Sequence, residues 1–258
     1  GGPLFEKSGA KTFDNGQEPE IHRFIRPFDL SQAPLLRVGL IKIEPKKHIF
    51  LVDMHHIISD GSSLAVLIKE FITILKGEEL PCCTYRYKDY SEWVNSDRGE
   101  IAFKEQETFW LEQFSGPIPV LNLPLDYPRP AVQDFSGNRL YFEIDTEESA
   151  ALQNLALREN VTLYMLLLAI FNIFCARLSG REDIVVGSPV TGRQHIDTSG
   201  IIGMFVNTLA LRNEPAGEKT VSEFLKEVKA DTLRAFENQD YQFDRLVEQL
   251  SINRDTGR

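Results

Sequence analysis

Five prolines fall inside one short stretch, Pro117, Pro119, Pro124, Pro128 and Pro130, which ends in Ser136-Gly137. Proline supplies no amide hydrogen to a helix or a ladder and biases the residue before it away from helix. Neither a helix nor a central strand can run through such a stretch, so it divides the chain. Residues 119–137 are therefore expected to link two units, residues 1–118 and residues 138–258. With 258 residues the chain is long enough for each unit to hold its own core. Both units mix strand and helix periodicities, which predicts an α+β protein of two lobes.

In the first unit, residues 1–20 are polar and Gly-rich and are expected to be mobile. The two prolines in Arg26 to Arg37 predict an irregular segment. Ile41-Lys42-Ile43-Glu44 alternates apolar and polar, as in a half-buried strand. After a turn at Pro45-Lys46-Lys47, the run Ile49-Phe50-Leu51-Val52 predicts a central strand covered on both faces. Leu64, Leu67, Ile68, Phe71, Ile72 and Leu75 then recur at helical spacing, and Gly77 is expected to end that helix. A further helix over residues 100–114 has Phe103, Trp110 and Phe114 as inward anchors.

The second unit is expected to begin with a strand over Leu140 to Ile144. Helices follow at 146–158 and 162–178, the latter capped by Thr162. The run Leu163 to Ala176 reads as a buried helix, too short to span a bilayer. Strands are expected at Asp183 to Gly187 and around Phe205 to Leu211. Thr220 with Glu223 spells a capping box that opens an amphipathic helix, and a last helix covers about 243–250.

Charge and cysteine content exclude several functions. Asp and Glu outnumber Lys and Arg by 38 to 28, a net charge of −10, which argues against a nucleic-acid footprint. The three cysteines, Cys82, Cys83 and Cys175, have neither disulfide-framework nor metal-ligand spacing, and Cys175 reads as core. They fit a reducing, cytoplasmic setting. Gly1-Gly2-Pro3-Leu4-Phe5 lacks the basic start and apolar stretch of a signal peptide.

The residues with most chemistry are His55-His56-Ile57-Ile58-Ser59-Asp60-Gly61, placed between the Ile49–Val52 strand and the following helix. Side chains of successive residues in an extended chain point to opposite sides, so one histidine is expected to be held inward while the other faces a cavity. Asp60 can bond a ring nitrogen or a nearby Arg. A histidine oriented by a carboxylate is a suitable general base near neutral pH. Gly61 is expected to supply a backbone conformation that larger residues resist. A purely structural role for the same residues stands beside this reading. Adjacent histidines lack the one-turn spacing of a zinc site, and no third ligand is evident. Ser59, Ser62 and Ser63 lie outside any G-x-S-x-G elbow.

His55 to Gly61 matches the H-H-x-x-x-D-G motif shared by chloramphenicol acetyltransferases and the condensation domains of non-ribosomal peptide synthetases. Five further segments resemble condensation domains in order along the chain. Pro27-Phe28-Asp29-Leu30, with Pro34-Leu35 and Arg37, is similar to the segment that precedes the motif. Tyr87-Lys88-Asp89-Tyr90 with Trp93 resembles Y-x-D-[YF]-x-x-W, and Val186 to Arg193 resembles G-x-P-x-x-G-R. Ile202-Gly203-Met204-Phe205-Val206-Asn207-Thr208-Leu209 is close to I-G-x-F-V-N-T-L. Leu246-Val247-Glu248 with Arg254-Asp255 resembles the closing segment, in which Asn238, Gln242 and Gly257 stand where His, Pro and Ser are common. The family's opening R-H-E-x-L-R-T-x-F segment, whose Arg pairs with the motif aspartate, is absent. Asp60 therefore lacks its expected partner unless another Arg takes that place.

The resemblance implies two acetyltransferase-like lobes in a V with a tunnel between them, both lobes incomplete in this chain. It implies amide formation between a donor aminoacyl or peptidyl thioester and an acceptor amine. Both substrates would be carried on phosphopantetheine arms of upstream and downstream peptidyl carrier domains, beside an adenylation domain, with no cofactor or metal bound directly. His56 would take a proton from the attacking ammonium or position the amine, and Gly61 would offer its N–H to the oxyanion. His55 and Asp60 would order the loop, and Arg193 would be a structural anchor. Ser63 and Asn207 would face the substrate channel, Asn207 being equally readable as a strand-end residue that satisfies backbone groups. Aspartates replace the two histidines in heterocyclisation domains. Epimerisation domains usually follow the motif with Trp-Arg, whereas Ser62-Ser63-Leu64-Ala65 stands here. The rival readings are an epimerisation domain or other acyltransferase of the superfamily, and an inactive or non-catalytic docking fragment.

Overall fold

The computed structural model describes residues 18–128, 130 and 137–250. Most of the terminus expected to be mobile, part of the 119–137 linker, and Arg254, Asp255 and Gly257 of the closing segment lie outside the described residues. By packing, the chain divides into two units, Gly1–Val94 with Arg193–Val206, and Asn95–Gly192 with Asn207–Arg258. The chain thus leaves the second unit after Gly192, contributes fourteen residues to the first, and returns at Asn207.

In the first unit a short helix α1 (Glu18–Phe24) precedes strands β1 (Leu36–Glu44) and β2 (Lys47–Met54). These pair antiparallel with Leu36 opposite Met54 and Ile41 opposite Ile49, with a bulge between Lys42 and Glu44. Side chains along β1 alternate between half-buried and exposed, as the Ile41–Glu44 pattern predicts. The central-strand expectation for Ile49–Val52 does not hold. Among the described residues β2 has β1 as its one strand partner, and Phe50 is exposed. A continuous apolar run fits a strand covered on one side as readily as on both, because periodicity alone cannot count the layers. Gly39 of β1 has a clear reason: a Cβ there would lie 2.8 Å from the Phe24 ring.

Helix α2 (Gly61–Leu75) follows, with Gly77 in the left-handed region just beyond its end, as expected. Phe71 stacks on Phe50 with ring centroids 4.4 Å apart, which fastens the helix to the hairpin. Helix α3 (Tyr87–Val94) carries the Tyr87–Trp93 aromatics, and Asp89 accepts from the Arg86 N–H at its start.

The second unit holds α4 (Asp97–Gln113), α5 (Thr146–Arg158), α6 (Leu163–Ser179), β3 (Ile184–Val190), β4 (Asn207–Asn213), α7 (Val221–Glu237) and α8 (Phe243–Gln249). Strands β3 and β4 pair antiparallel, from Ile184 opposite Asn213 to Val190 opposite Asn207. Phe103, Trp110 and Phe114 are buried as expected, and the Trp110 indole donates to the Asn238 carbonyl at 2.8 Å. Thr162 caps α6, and both halves of the Thr220–Glu223 capping box are formed on α7. Cys175 is fully buried, whereas Cys82 and Cys83 are exposed.

Three expectations for this unit need correction. Residues 140–144 form no strand, and Leu140 and Phe142 lie almost fully exposed. β4 begins at Asn207 rather than Phe205, because Phe205 and Val206 pack in the other unit. Helix α6 is buried on one face only: Met165, Leu166, Leu168, Ala169, Asn172 and Cys175 point inward, while Leu167, Ile170, Phe171 and Phe174 are exposed. A helix apolar all round hides in sequence which of its faces is covered.

Candidate active site

The site begins where β2 ends. His55 donates its backbone N–H to the Leu35 carbonyl at 3.0 Å, and its Nδ1 accepts from the Ile57 N–H at 3.1 Å. Its ring meets the edge of Phe28, and Phe28 lies 3.7 Å beneath the Arg37 guanidinium. Arg37 in turn donates to Asp53 and to the carbonyls of Arg26 and Pro27. The Pro27–Leu30 segment therefore acts as a brace that holds the first histidine. The chain then makes a 3₁₀ turn over His56–Ile58, closed by the Ser59 N–H on the His56 carbonyl. Of the motif's three titratable side chains, His56 alone is exposed. The division into one held and one outward histidine is as expected, but it is the 3₁₀ turn at His56, rather than alternation along an extended chain, that turns the second ring outward.

Asp60 is the anchor of the loop. Its carboxylate has no exposed surface. Oδ1 accepts from the Ser63 N–H at 2.7 Å, capping α2, and from the Ser63 hydroxyl at 2.8 Å. Oδ2 accepts from the Phe205 N–H at 3.1 Å. Nη2 of Arg193 reaches both oxygens, at 3.0 and 3.2 Å. A buried carboxylate without a cation is costly, so a partner was required somewhere. Arg193, 133 residues along the chain, is that partner. Of the two partners expected for Asp60, it is the Arg and not a histidine ring that binds it. Burial pushes the Asp60 carboxyl up, but the bonds from Ser63, Phe205 and Arg193 outweigh it and hold the group below its ordinary 3.8.

Arg193 is itself almost fully buried. Its Nη1 donates to the carbonyls of Thr198 and Ile201, and its plane lies 4.1 Å over the Phe205 ring. Tyr87 and Tyr90 pack on Phe205, and the Tyr87 hydroxyl donates to the Met204 carbonyl at 2.8 Å. Burial and then the Asp60 charge raise the Tyr87 phenol above its ordinary 10.0. A Cβ on Gly203 would collide with the Tyr87 ring, which accounts for the glycine. Three sequence segments, around Tyr87, Arg193 and Phe205, thus converge on one carboxylate.

His55, His56, Asp60, Gly61 and Ser63 come together in the first unit. Ser63, expected on the substrate channel, has no exposed surface. Its hydroxyl is enclosed by Asp60, the Gly203 backbone and Arg193. Gly61 also differs from expectation. It is absent from the positive-φ residues, because it is the first residue of α2, and a Cβ there would meet nothing within 4 Å. Asn207 belongs to the second unit and is buried. Its amide donates to the carbonyls of Gln239 and Tyr241 at 2.9 and 2.8 Å and accepts from the Phe243 N–H at 3.0 Å. Both amide hydrogens are thereby engaged by backbone. The sequence reading expected Arg193 as an anchor and left an arginine open for Asp60, but did not join the two, because nothing local links residues 133 apart. A cavity of about 1070 Å³ lies in the second unit, lined by Pro117, Ile173, Arg177, Pro215 and Phe224, and neither His56 nor any other candidate site residue lines it. Among the described residues no group of three or more His, Cys, Asp and Glu is arranged to hold a metal, and no single helix is long and apolar enough to cross a membrane.

The chain is 50% identical over 254 residues to bacitracin synthase 2 of Bacillus licheniformis, covering 98% of this chain and 10% of that protein. It is 52% identical over 253 residues to tyrocidine synthase 3 of Brevibacillus parabrevis, covering 96% of this chain and 4% of that one. The chain therefore spans about a tenth or less of the length of these relatives. A crystal structure of a four-domain nonribosomal peptide synthetase bound to AMP and glycine superposes with a TM-score of 0.79 at 28% identity, over 90% of this chain and 18% of that one. The fold is that of a condensation domain, mixed α and β with small sheets. The family model described as the condensation domain matches residues 8–258, and the chain belongs to that family.

Proposed function

We propose that this chain forms peptide bonds in non-ribosomal peptide synthesis. The substrates are a donor aminoacyl or peptidyl thioester and an aminoacyl thioester acceptor. Each is carried on the phosphopantetheine of a peptidyl carrier domain, one upstream and one downstream, in a synthetase that also holds an adenylation domain. The lobes of this reading are residues 1–118 and 138–258 about the 119–137 linker, and a cytoplasmic setting suits the three unpaired cysteines.

The observation that carries the proposal is the outward-facing His56 beside the start of α2, with every other polar side chain of the motif engaged in scaffold. The acceptor amine attacks the donor carbonyl, forming the C–N bond. His56 takes the proton that the attacking nitrogen sheds. The Gly61 N–H, at a helix end whose first amides lack intrahelical partners, faces the carbonyl oxygen as it gains charge. The C–S bond then breaks, and the thiolate leaves with a proton on the donor arm. Most of the remaining rate comes from holding the two tethered reactants in line.

The test is intact-mass spectrometry of a loaded acceptor carrier after mixing with a loaded donor carrier and the protein, alongside His56→Ala. A mass gain equal to the donor acyl group is expected, falling about 10²–10⁴-fold in rate in the variant. A gain that survives unchanged in His56→Ala removes the general-base role.

A further inference from the structure

We propose that Cys82 and Cys83 form a dithiol site that low-molecular-weight disulfides oxidise reversibly to a vicinal disulfide. The inference stands apart from peptide-bond formation and from the histidine loop. The two cysteines are adjacent and both exposed, whereas Cys175 has no exposed surface. They lie between α2, which ends at Leu75, and α3, which starts at Tyr87. The ends of that connection are fixed. Gly77 and Glu78 donate to the Ile74 and Thr73 carbonyls, and the Arg86 N–H donates to Asp89. Among the described hydrogen bonds, residues 79–85 take part in one, from the Cys83 thiol to the Tyr85 carbonyl. Neither a ladder nor a helix has to break for the two sulfurs to meet.

Exposure gives a small disulfide access to either thiol. The thiolate of one cysteine attacks a sulfur of the reagent, whose S–S bond breaks, and the other half leaves as a thiol after taking up a proton. The neighbouring thiolate then attacks the cysteine sulfur of this mixed disulfide and expels the remaining half, also as a thiol. Two electrons pass from the protein to the reagent, and the two cysteine protons end on the two released thiols. The Cys82–Cys83 peptide is trans. Consecutive Cα atoms then lie about 3.8 Å apart, short of the roughly 4.4–6.8 Å that a relaxed disulfide spans. The bond is therefore strained, and strained, exposed disulfides are the readily reduced ones. That suits a reversible mark rather than a structural staple.

The test incubates the full chain with oxidised glutathione and reads its intact mass, alongside Cys82→Ser and Cys83→Ser. Wild type should lose two hydrogens and retain no glutathione. Each single variant should retain one glutathionyl group, because the thiol that would expel it is missing. Mass spectrometry of proteolytic fragments should place the bond within residues 79–86 and find Cys175 reduced. Excess reduced glutathione should restore the starting mass. Glutathionyl groups retained by wild type, disulfide-linked dimers, or an unchanged mass overturn the proposal, and so does a bond that survives excess reduced glutathione. Should a serine variant lose its folded signal, phenylarsine oxide, which bridges neighbouring thiols, gives a second reading on wild type. One equivalent should protect Cys82 and Cys83 together from alkylation, and either thiol left free counts against the proposal.

Discussion

Replacing Asn207 with alanine separates the two roles that its sequence position permits. The side chain makes three hydrogen bonds, two donated to the Gln239 and Tyr241 carbonyls and one accepted from the Phe243 N–H. With 5% of the residue exposed, water has little access to replace them. At about 1 kcal/mol net for each bond, Asn207→Ala should destabilise the protein by roughly 3 kcal/mol. Spread over a chain of this size, that corresponds to a fall in Tm of about 6–12 °C. Scanning calorimetry measures the shift, and amide exchange should show the opening confined to residues 239–243 and the start of α8. A variant whose Tm moves by less than about 2 °C while its kcat/KM drops would refute the reasoning, since the amide would then be serving substrate rather than backbone.

Asp60 gives a pH signature. Its carboxyl is held below 3.8 in the folded protein, so its contribution is present above the unfolded value and is lost as pH falls through the folded one. The charged group facing it is Arg193, and the Tyr87 phenol also feels its charge. The Tm difference between wild type and Asp60→Asn should be constant from neutral pH down to about 5 and shrink below 3.8; a difference that grows on acidification would reverse the sign. Gly61→Ala should leave Tm unchanged or slightly raised, because the added methyl meets nothing and alanine favours helix. Amide formation should nevertheless fall about 5- to 160-fold if the methyl crowds the reacting groups by 1–3 kcal/mol; full activity would show that no substrate approaches Gly61.

Local rules made the helices legible. Thr162, Thr220 and Glu223 are caps whose hydrogen bonds involve neighbours three residues away, and the helices start where those residues stand. The anchors Phe103, Trp110 and Phe114 were legible for the same reason, since helical spacing puts them on one face. The histidine pair was expected to split by alternation along an extended chain, whereas β2 ends at Met54 and a 3₁₀ turn carries His56 to the surface. What failed depended on partners far along the chain. The Ile49–Val52 run could not report how many layers cover it, and Leu140–Ile144 has strand composition but pairs with no strand among the described residues. Ser63 looks like any exposed serine at a helix start until Gly203, 140 residues away, closes over it. Gly61 invited a backbone explanation, whereas the structure leaves the space beside it open.

The bonds that fix the motif loop run from Asp60 to Arg193 and Phe205, across 133 and 145 residues. Contacts so distant in sequence form late, because the intervening chain must first be ordered. On a ribosome adding 5–20 residues per second, Phe205 is made about 7 to 30 s after Asp60. Until those residues are made the carboxylate has neither its guanidinium nor the Phe205 amide, and α2 emerges with its capping residue unclasped. Order in the motif loop is thereby tied to the completion of a segment more than a hundred residues downstream, so a stalled or prematurely released chain carries the histidine motif without the bonds that hold Asp60.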